Sequence, residues 1–570
     1  MRLSVSKSKN STSLYVIQSI YDKGKRTTRV VEKLGTVAEL QQKLNGQDPI
    51  EWAKSYIEEL NKREEEQSRE VIVRYSPSKV IPKDQQHSFN GGYLFLQQIY
   101  HELDLHKICA EISRKHKFTF DLNAILSRLL YGRILFPSSK LATYQHSSKF
   151  IEQPDFELQH VYRALEVISK DMDFIQSSLY SNSLKASKRN TGILYYDCTN
   201  YFFEIEQEDG LKQYGASKEH RPSPIIQMGL FMDGDGIPLA FNLSSGNTNE
   251  QITLKPLEKK ILSDFNLSKF VVCTDAGLAS EKNRKFNNEG ERAFITTQSI
   301  KKLKKHLKEW SLDPKGWHLA GHDKTYDITQ LDEGIYKEKC FFKERWIKEN
   351  DLEQKLIVTY SIKYKNYHRQ IRNSQIERAQ KLLNVNPTKI SKNSPNNYKR
   401  FIKKTSCTSD GEIAENEIYS LNNGAIAAEE AYDGFYAVCT NLEGSVQEII
   451  RINQRRWEIE ECFRIMKSEF KARPVYLSRD DRIKAHFTTC FMSLIIYRLL
   501  EKKLENKFTC SEIINGLKDM NFYEIKGQGY IPTYTRTSFT DALHETFGFR
   551  TDYEIIKKAQ MKKLFKATKK

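Results

Sequence analysis

The chain has 570 residues, 39% hydrophobic and 11% aromatic, with 90 Lys+Arg against 73 Asp+Glu and a formal net charge of +17. That length divides among two to four domains, and the apolar content excludes wholesale disorder. The basic excess favours a polyanionic partner, nucleic acid above all, over a merely well-solvated basic protein. Nine cysteines are scattered without a C-x-x-C pair, which argues against a zinc ribbon or a disulfide framework. The opening MRLSVSKSKNSTSL lacks the apolar core of a signal peptide, and no apolar run approaches the length of a membrane span. A reducing cytosol is the expected compartment.

Residues 1–75 read as a small α+β module. SLYVIQSIYD and TTRVVEKLG alternate as two strands about the basic turn DKGKR, and IEWAKSYIEELNKREEEQ follows as a helix. SPSKVIPKD, with Pro77 and Pro82, is a linker. Residues 85–188 carry helical patterns in GGYLFLQQIYHELDLHKICAEI, LNAILSRLLYGRILF and HVYRALEVISKDMDFIQSSLYSNSLKA. They form a candidate DNA-binding region, although basic faces also belong to ordinary surface helices. At 190 the texture becomes β-type. GILYYDCTNYFFEI is one strand, and PIIQMGLFM and IPLAFNL form a hairpin across DGDG. Thr248 with Gln251 resembles a capping box opening a helix over 249–263. KFVVCTDAGLAS is a buried strand that breaks at Gly277, followed by a helix and the strand AFITTQ.

This order predicts an α/β fold, a mixed sheet with flanking helices, beginning at 190–300. Residues 301–445 interrupt it with strands at KLIVTYSIKY and GFYAVCTN and a helix at YHRQIRNSQIERAQKLL. Residues 446–505 bring RRWEIEECFRIMKSEFK (455–471), read as one helix, and the apolar helix AHFTTCFMSLIIYRLLEKKL. Residues 506–570 end in a lysine-rich tail, which either grips phosphates or is a solvated end.

Three carboxylates stand out. Asp197 lies inside ILYYDCTNYFF, where an unpaired carboxylate is costly to bury, so it either has a function or accepts local hydrogen bonds. Asp275 ends FVVCTD; strand C-termini commonly hold active-site groups, and Asp before Ala-Gly is equally a turn or cap residue. In the helix at 455–471, with Arg456 placed at 0° and ~100° per residue, Glu460 falls near ~40° and Lys467 near ~20°, beside the apolar stripe of Ile459, Phe463 and Phe470. Glu458, Glu461 and Glu469 project to the far side and read as solvated. Glu460 is either a functional acid or half of an Arg456–Glu460 pair one turn apart. Trp457 reads as a core residue rather than a platform for a displaced base. His220 and His486 read as polar structural or phosphate-contacting residues. Convergent hard oxygen ligands repel one another and suit Mg²⁺, and two such ions can clamp an in-line phosphoryl transfer. On a basic protein that phosphate belongs to DNA.

These residues resemble the DDE transposases of bacterial insertion sequences, in the superfamily with the signature Y-x-x-R-x-x-x-E-x-x-x-x-x-x-K. Arg456, Glu460 and Lys467 match the R, E and K, while Asn453 stands at the Tyr position. YYDCTNYFFE and VVCTDAGLASEKN are similar to the two Asp motifs. The resemblance implies an RNase H-like core, interrupted over 301–445 by a β-containing insertion domain. It also implies that Asp197, Asp275 and Glu460 hold two Mg²⁺ (or Mn²⁺) ions and that Arg456 and Lys467 hold phosphates. The expected partners are transposon terminal inverted repeats and target DNA, with a homodimer in the synaptic complex, in a bacterial, nucleoid-associated cytosolic setting. The alternatives are an inactive or domesticated DNA-binding derivative, and an RNase H-like nuclease without strand transfer.

Overall fold

The computed structural model describes residues 1–8, 11–22, 25–44, 46–67, 76–385, 397–407 and 413–570. Part of the predicted turn DKGKR lies outside them. The chain divides into two compact units, the first comprising 1–87, 523–531 and 553–559, the second 88–522, 532–552 and 560–570.

In the first unit, β1 (Arg2–Lys7), β2 (Thr12–Asp22) and β3 (Lys25–Thr36) form an antiparallel sheet. Thr36 then caps the helix Val37–Lys43 in a capping box with Glu39, satisfying two end amides reciprocally. Leu14, Leu40 and Ala53, the last on the helix Pro49–Gln67, make its small core.

The second unit opens with β4 (Ser88–Asn90) and six helices between Tyr93 and Ala186. Its sheet then follows in the strands β5 (Ile193–Phe202), β6 (Ile225–Asp233), β7 (Pro238–Ser245), β8 (Val271–Thr274) and β9 (Ala293–Thr297). β10 (Trp317–Leu319), β11 (Thr325–Tyr326), β12 (Phe341–Glu349), β13 (Leu352–Tyr360) and β16 (Phe435–Thr440) come from the interrupting segment. They do not build a sheet of their own. β16 pairs antiparallel with β9, so all ten strands share one mixed sheet in the order β11-β10-β12-β13-β16-β9-β8-β5-β6-β7. Among the described strands of the interrupting segment, β14 (Ile402–Cys407) and β15 (Ile413–Leu421) pair with each other, apart from it.

Local chemistry explains the turns. Between β6 and β7, Asp233 Oδ1 accepts from the Asp235 and Ile237 amides at 3.0 and 2.9 Å, and Gly236 takes φ +80°. Between β12 and β13, Asn350 and Asp351 both have positive φ, as a two-residue hairpin that follows the strand twist requires. The helix predicted from Thr248 instead starts at Leu254, after a 3₁₀ turn capped by Asn249, whose side chain accepts from the Gln251 amide. An Asx turn competes with the capping box and wins.

Leu194, Tyr196 and Cys198 of β5 face a core with Tyr180, Leu257 and Ile261 from flanking helices. The helix Asp480–Lys503 is long and apolar enough to cross a membrane, contrary to the expectation from its sequence, but 89% of its most apolar stretch is buried. It is a core helix. Arg189 ties the hairpin to the helix Met172–Ala186: it donates to Asp233 Oδ2 at 2.6 Å, to Ser183 Oγ at 2.7 Å and to two carbonyls of residues 237–238. Both charged side chains are fully buried. Arg189→Met, which strands the Asp233 carboxylate, is expected to cost about 3–5 kcal/mol in denaturant unfolding of the whole chain.

Candidate active site

β5 and β8 run parallel, with Tyr195 opposite Cys273 and Tyr196 opposite Thr274, so every rung joins residues 78 apart. Asp197 and Asp275 have that same separation and lie one residue beyond the last rung, Tyr196–Thr274. Asp275 still has extended backbone (φ −79°, ψ 166°) where β8 gives way to a 3₁₀ turn, and its side chain makes no cap hydrogen bond. Because side chains alternate along a strand, both aspartates project from the same face as Tyr195 and Cys273. The helix Val446–Gln454 packs on that face: the Tyr195 hydroxyl donates to the Ile452 carbonyl at 2.9 Å, and the Cys273 thiol to Asn453 Oδ1 at 3.7 Å.

The stretch read as one helix at 455–471 is an α-helix, Trp457–Arg464, continued by a π-helical turn, Ile465–Glu469. Arg456 precedes it and reaches both ways, with nitrogens 3.7 Å from Asp275 Oδ1 and 3.5 Å from Glu460 Oε1. Asp275 and Glu460 are 47% and 60% exposed, so their carboxylates are open to a further ligand while the guanidinium behind them is 18% exposed. Burial pushes the Asp197 carboxyl up to about 6, against the pull of Lys218, the Cys198 amide and Arg456, with the charge of Asp275 adding to the rise. Thus Asp275 and Glu460 flank Arg456, whose charge also acts on Asp197.

Lys467 is not beside Glu460. Its ammonium donates to Thr199 Oγ1 at 2.7 Å, two residues along β5 from Asp197, and lies 3.6 Å from Glu219 Oε1. The wider π turn, which inserts an extra residue, shifts it off the ideal helical projection. Three other readings of this stretch change. Glu458 is buried, accepting from Arg455 at 2.9 Å with Arg498 at 3.7 Å. Glu461 and Glu469 are half-buried and share Arg464. Trp457, expected in the core, is 61% exposed. With Tyr364, Tyr367, Tyr436, Arg456 and Glu460 it lines a cavity of about 680 Å³.

Two neighbours escaped sequence reasoning. Lys218 donates to the Cys198 carbonyl and sits 3.2 Å from Glu250, with its charge acting on Asp197. Tyr436, on β16, accepts from the Asn453 amide at 3.1 Å and hydrogen-bonds Thr297 at 2.7 Å, bringing a phenol to the site where the signature tyrosine is missing. Neither has a signal in local spacing. His220 adopts a left-handed turn (φ 55°), and His486 is buried against the Ala472 carbonyl.

The donor set fits a hard divalent cation: three carboxylates with no thiol or imidazole among them. Among the described residues, a tighter group is Asp541, His544 and Asp552, with ligand atoms all within 4.8 Å. Arg550 already holds Asp541 and Asp552 at 3.4 and 2.6 Å, and Arg536 holds Asp541 at 2.7 Å, which marks a salt-bridge network.

Residues 201–496 match the family model described as a transposase DDE domain, just over half of the chain. The chain belongs to the transposase DDE domain family. The match takes in Asp275 and Glu460 and begins four residues after Asp197. No curated protein matches this sequence. Among solved structures, the chain is similar to the piggyBac transposase in a cryo-EM synaptic complex with hairpin DNA: 9% identity over 76% of this chain and 82% of that one, at a TM-score of 0.36. A likeness that distant bears on nothing in the site.

The raised Asp197 carboxyl makes ionised Asp197 a cost to the metal-free fold. Asp197→Asn is expected to stabilise the metal-free chain at neutral pH by about 2 kcal/mol, read as a higher thermal midpoint. A lower midpoint would show that the carboxylate is needed to hold the strand.

Proposed function

We propose that this DDE family member is the transposase of a bacterial insertion sequence, acting in the cytosol on the terminal inverted repeats of its element and on target DNA. The supporting observation is that the parallel β5–β8 register leaves Asp197 and Asp275 one step past its last rung, with Arg456 joining Asp275 to Glu460. In this reading the sheet is an RNase H-like core, and the three carboxylates hold two Mg²⁺ ions, with Mn²⁺ able to substitute. Bound there, the ions would supply a nucleophile at neutral pH and neutralise charge on the phosphate in flight.

The chain's own groups do the rest. Asp197, fixed on β5, and Asp275, at the open end of β8, orient the cations. Glu460 completes the set from the helix, and Arg456 balances Asp275 and Glu460 until the cations arrive. Lys467, anchored on Thr199, presents a charge to DNA phosphates, as does Arg456. Trp457 and the three tyrosines of the adjoining cavity offer stacking surface to a base displaced near the cut. Two copies would bring two ends together.

The test is Mg²⁺-dependent nicking and joining of a duplex bearing the repeats that flank the gene. Asp197→Ala, Asp275→Ala and Glu460→Ala are expected to abolish nicking while leaving duplex binding intact. Lys467→Ala should lower the nicking rate about 10²–10³-fold. Nicking in EDTA would sink the metal assignment. Binding without cutting by the parent would identify a DNA-binding derivative, and cutting without joining a nuclease. Trp457→Ala should slow the steps after the first nick and spare the nick itself; equal loss of both would remove the stacking role.

A further inference from the structure

A second, smaller cavity of about 250 Å³ lies where the helices Leu122–Leu135 and Lys140–Ser147 meet the segment after the π turn. Its walls include Arg133, Lys140, Tyr162, Lys471, Arg473 and His486. Lys140 is only 4% exposed, and its ammonium has no hydrogen-bond partner. Arg133, 3% exposed, donates to the carbonyls of Phe470 and Ser138 at 3.0 and 3.1 Å, and its Nε is left without a partner. The Nε of Arg473 is likewise unpartnered, although its Nη1 donates to Glu219. His486 uses Nε2 on the Ala472 carbonyl at 3.1 Å.

No carboxylate lines this cavity among the described residues. The nearby acids are occupied: Glu166 by Arg479 and Arg482 at 3.0 and 2.9 Å, Glu219 by Arg473 and Lys467. Burial, with Arg133 beside it, pushes Lys140 down to about 7, and burial with Arg133 and Lys140 holds His486 well below its ordinary range. A cluster of bases packed together without a counter-charge is unfavourable, since each buried cation wants a partner. At the rim Lys471 holds a left-handed φ of 46°, a conformation that costs a non-glycine residue energy and that clusters at ligand clamps.

We propose that this cavity is an oxyanion pocket that takes one phosphate group, with Lys140 and Arg133 at its floor and Arg473 and Lys471 at its mouth. Arg473 and Lys467 share Glu219, so the pocket is coupled by ion pairs to the lysine beside the carboxylate site. The phosphate comes from the backbone of bound DNA, a source that rests on the transposase reading, or from a free phosphate, which does not.

The experiment uses the full chain. Thermal unfolding is measured in sodium phosphate and in sodium chloride at equal ionic strength and pH, since a ligand of the folded state raises the midpoint. The parent is expected to gain several degrees in phosphate over chloride. Lys140→Met, which keeps the stem and removes an unpaired buried charge, should fold and lose that gain; Lys471→Gln at the exposed rim should lose part of it. Duplex binding is then titrated against salt, where Lys140→Met should lower the slope by about one phosphate contact. A lowered slope, with the phosphate gain gone in the DNA complex, identifies the backbone as the source. An unchanged slope, with the gain retained on DNA, identifies a free phosphate. Equal midpoints in both salts together with an unchanged slope overturn the pocket. None of these readouts depends on cleavage, so a chain that binds phosphate but cuts nothing would fail the transposase reading alone.

Discussion

Everything at the carboxylate site hangs on the parallel pairing of β5 with β8. A parallel pair fixes register along its length, and a slip of one residue would send one aspartate to the opposite face. The rungs from Ile193–Val271 to Tyr196–Thr274 hold the register, and Asp197 and Asp275 follow one residue beyond the last of them. Two like charges set side by side on one face repel. The fold tolerates this because β8 ends there, leaving Asp275 open to water, and because Arg456 comes over from the helical side.

The same face also carries the means of covering itself. Tyr195 and Cys273 hydrogen-bond the end of the helix Val446–Gln454, which fixes where the next helix starts and so where Arg456 and Glu460 stand. The π turn then directs Lys467 onto Thr199. Arg464, Glu461 and Glu469 form a separate cluster on the outer side. Charge that looks redundant along the helix is thereby divided between two jobs.

Basic groups are likewise sorted by the fold. Arg189 and Arg498 meet the buried carboxylates of Asp233 and Glu458. Arg133 and Lys140 are buried without acids. A net charge of +17 does not distinguish these cases, because what matters is which carboxylate each cation meets after folding.

Local chemistry decided much. Alternating apolar strands, the DGDG hairpin, the two Asp motifs and the Arg456–Glu460 spacing are written within short windows, where hydrogen bonding and side-chain period act directly. The mixed α/β class and the family were legible on those terms. The rest needed contacts distant in sequence. That the interrupting strands extend the sheet follows from β16 meeting β9. Glu458 is buried because Arg498, from another helix, reaches it. Trp457 is exposed because the core on its helix is filled by Ile459, Cys462 and Phe463. Tyr436 stands by Asn453 because β16 is held between β13 and β9, where Tyr436 also meets Thr297. Sequence by itself set which carboxylates were available, on which strands and helix they ride, and the Arg456–Glu460 pair one turn apart; tertiary structure decided that the same Arg456 also meets Asp275, because that contact joins residues far apart in the chain.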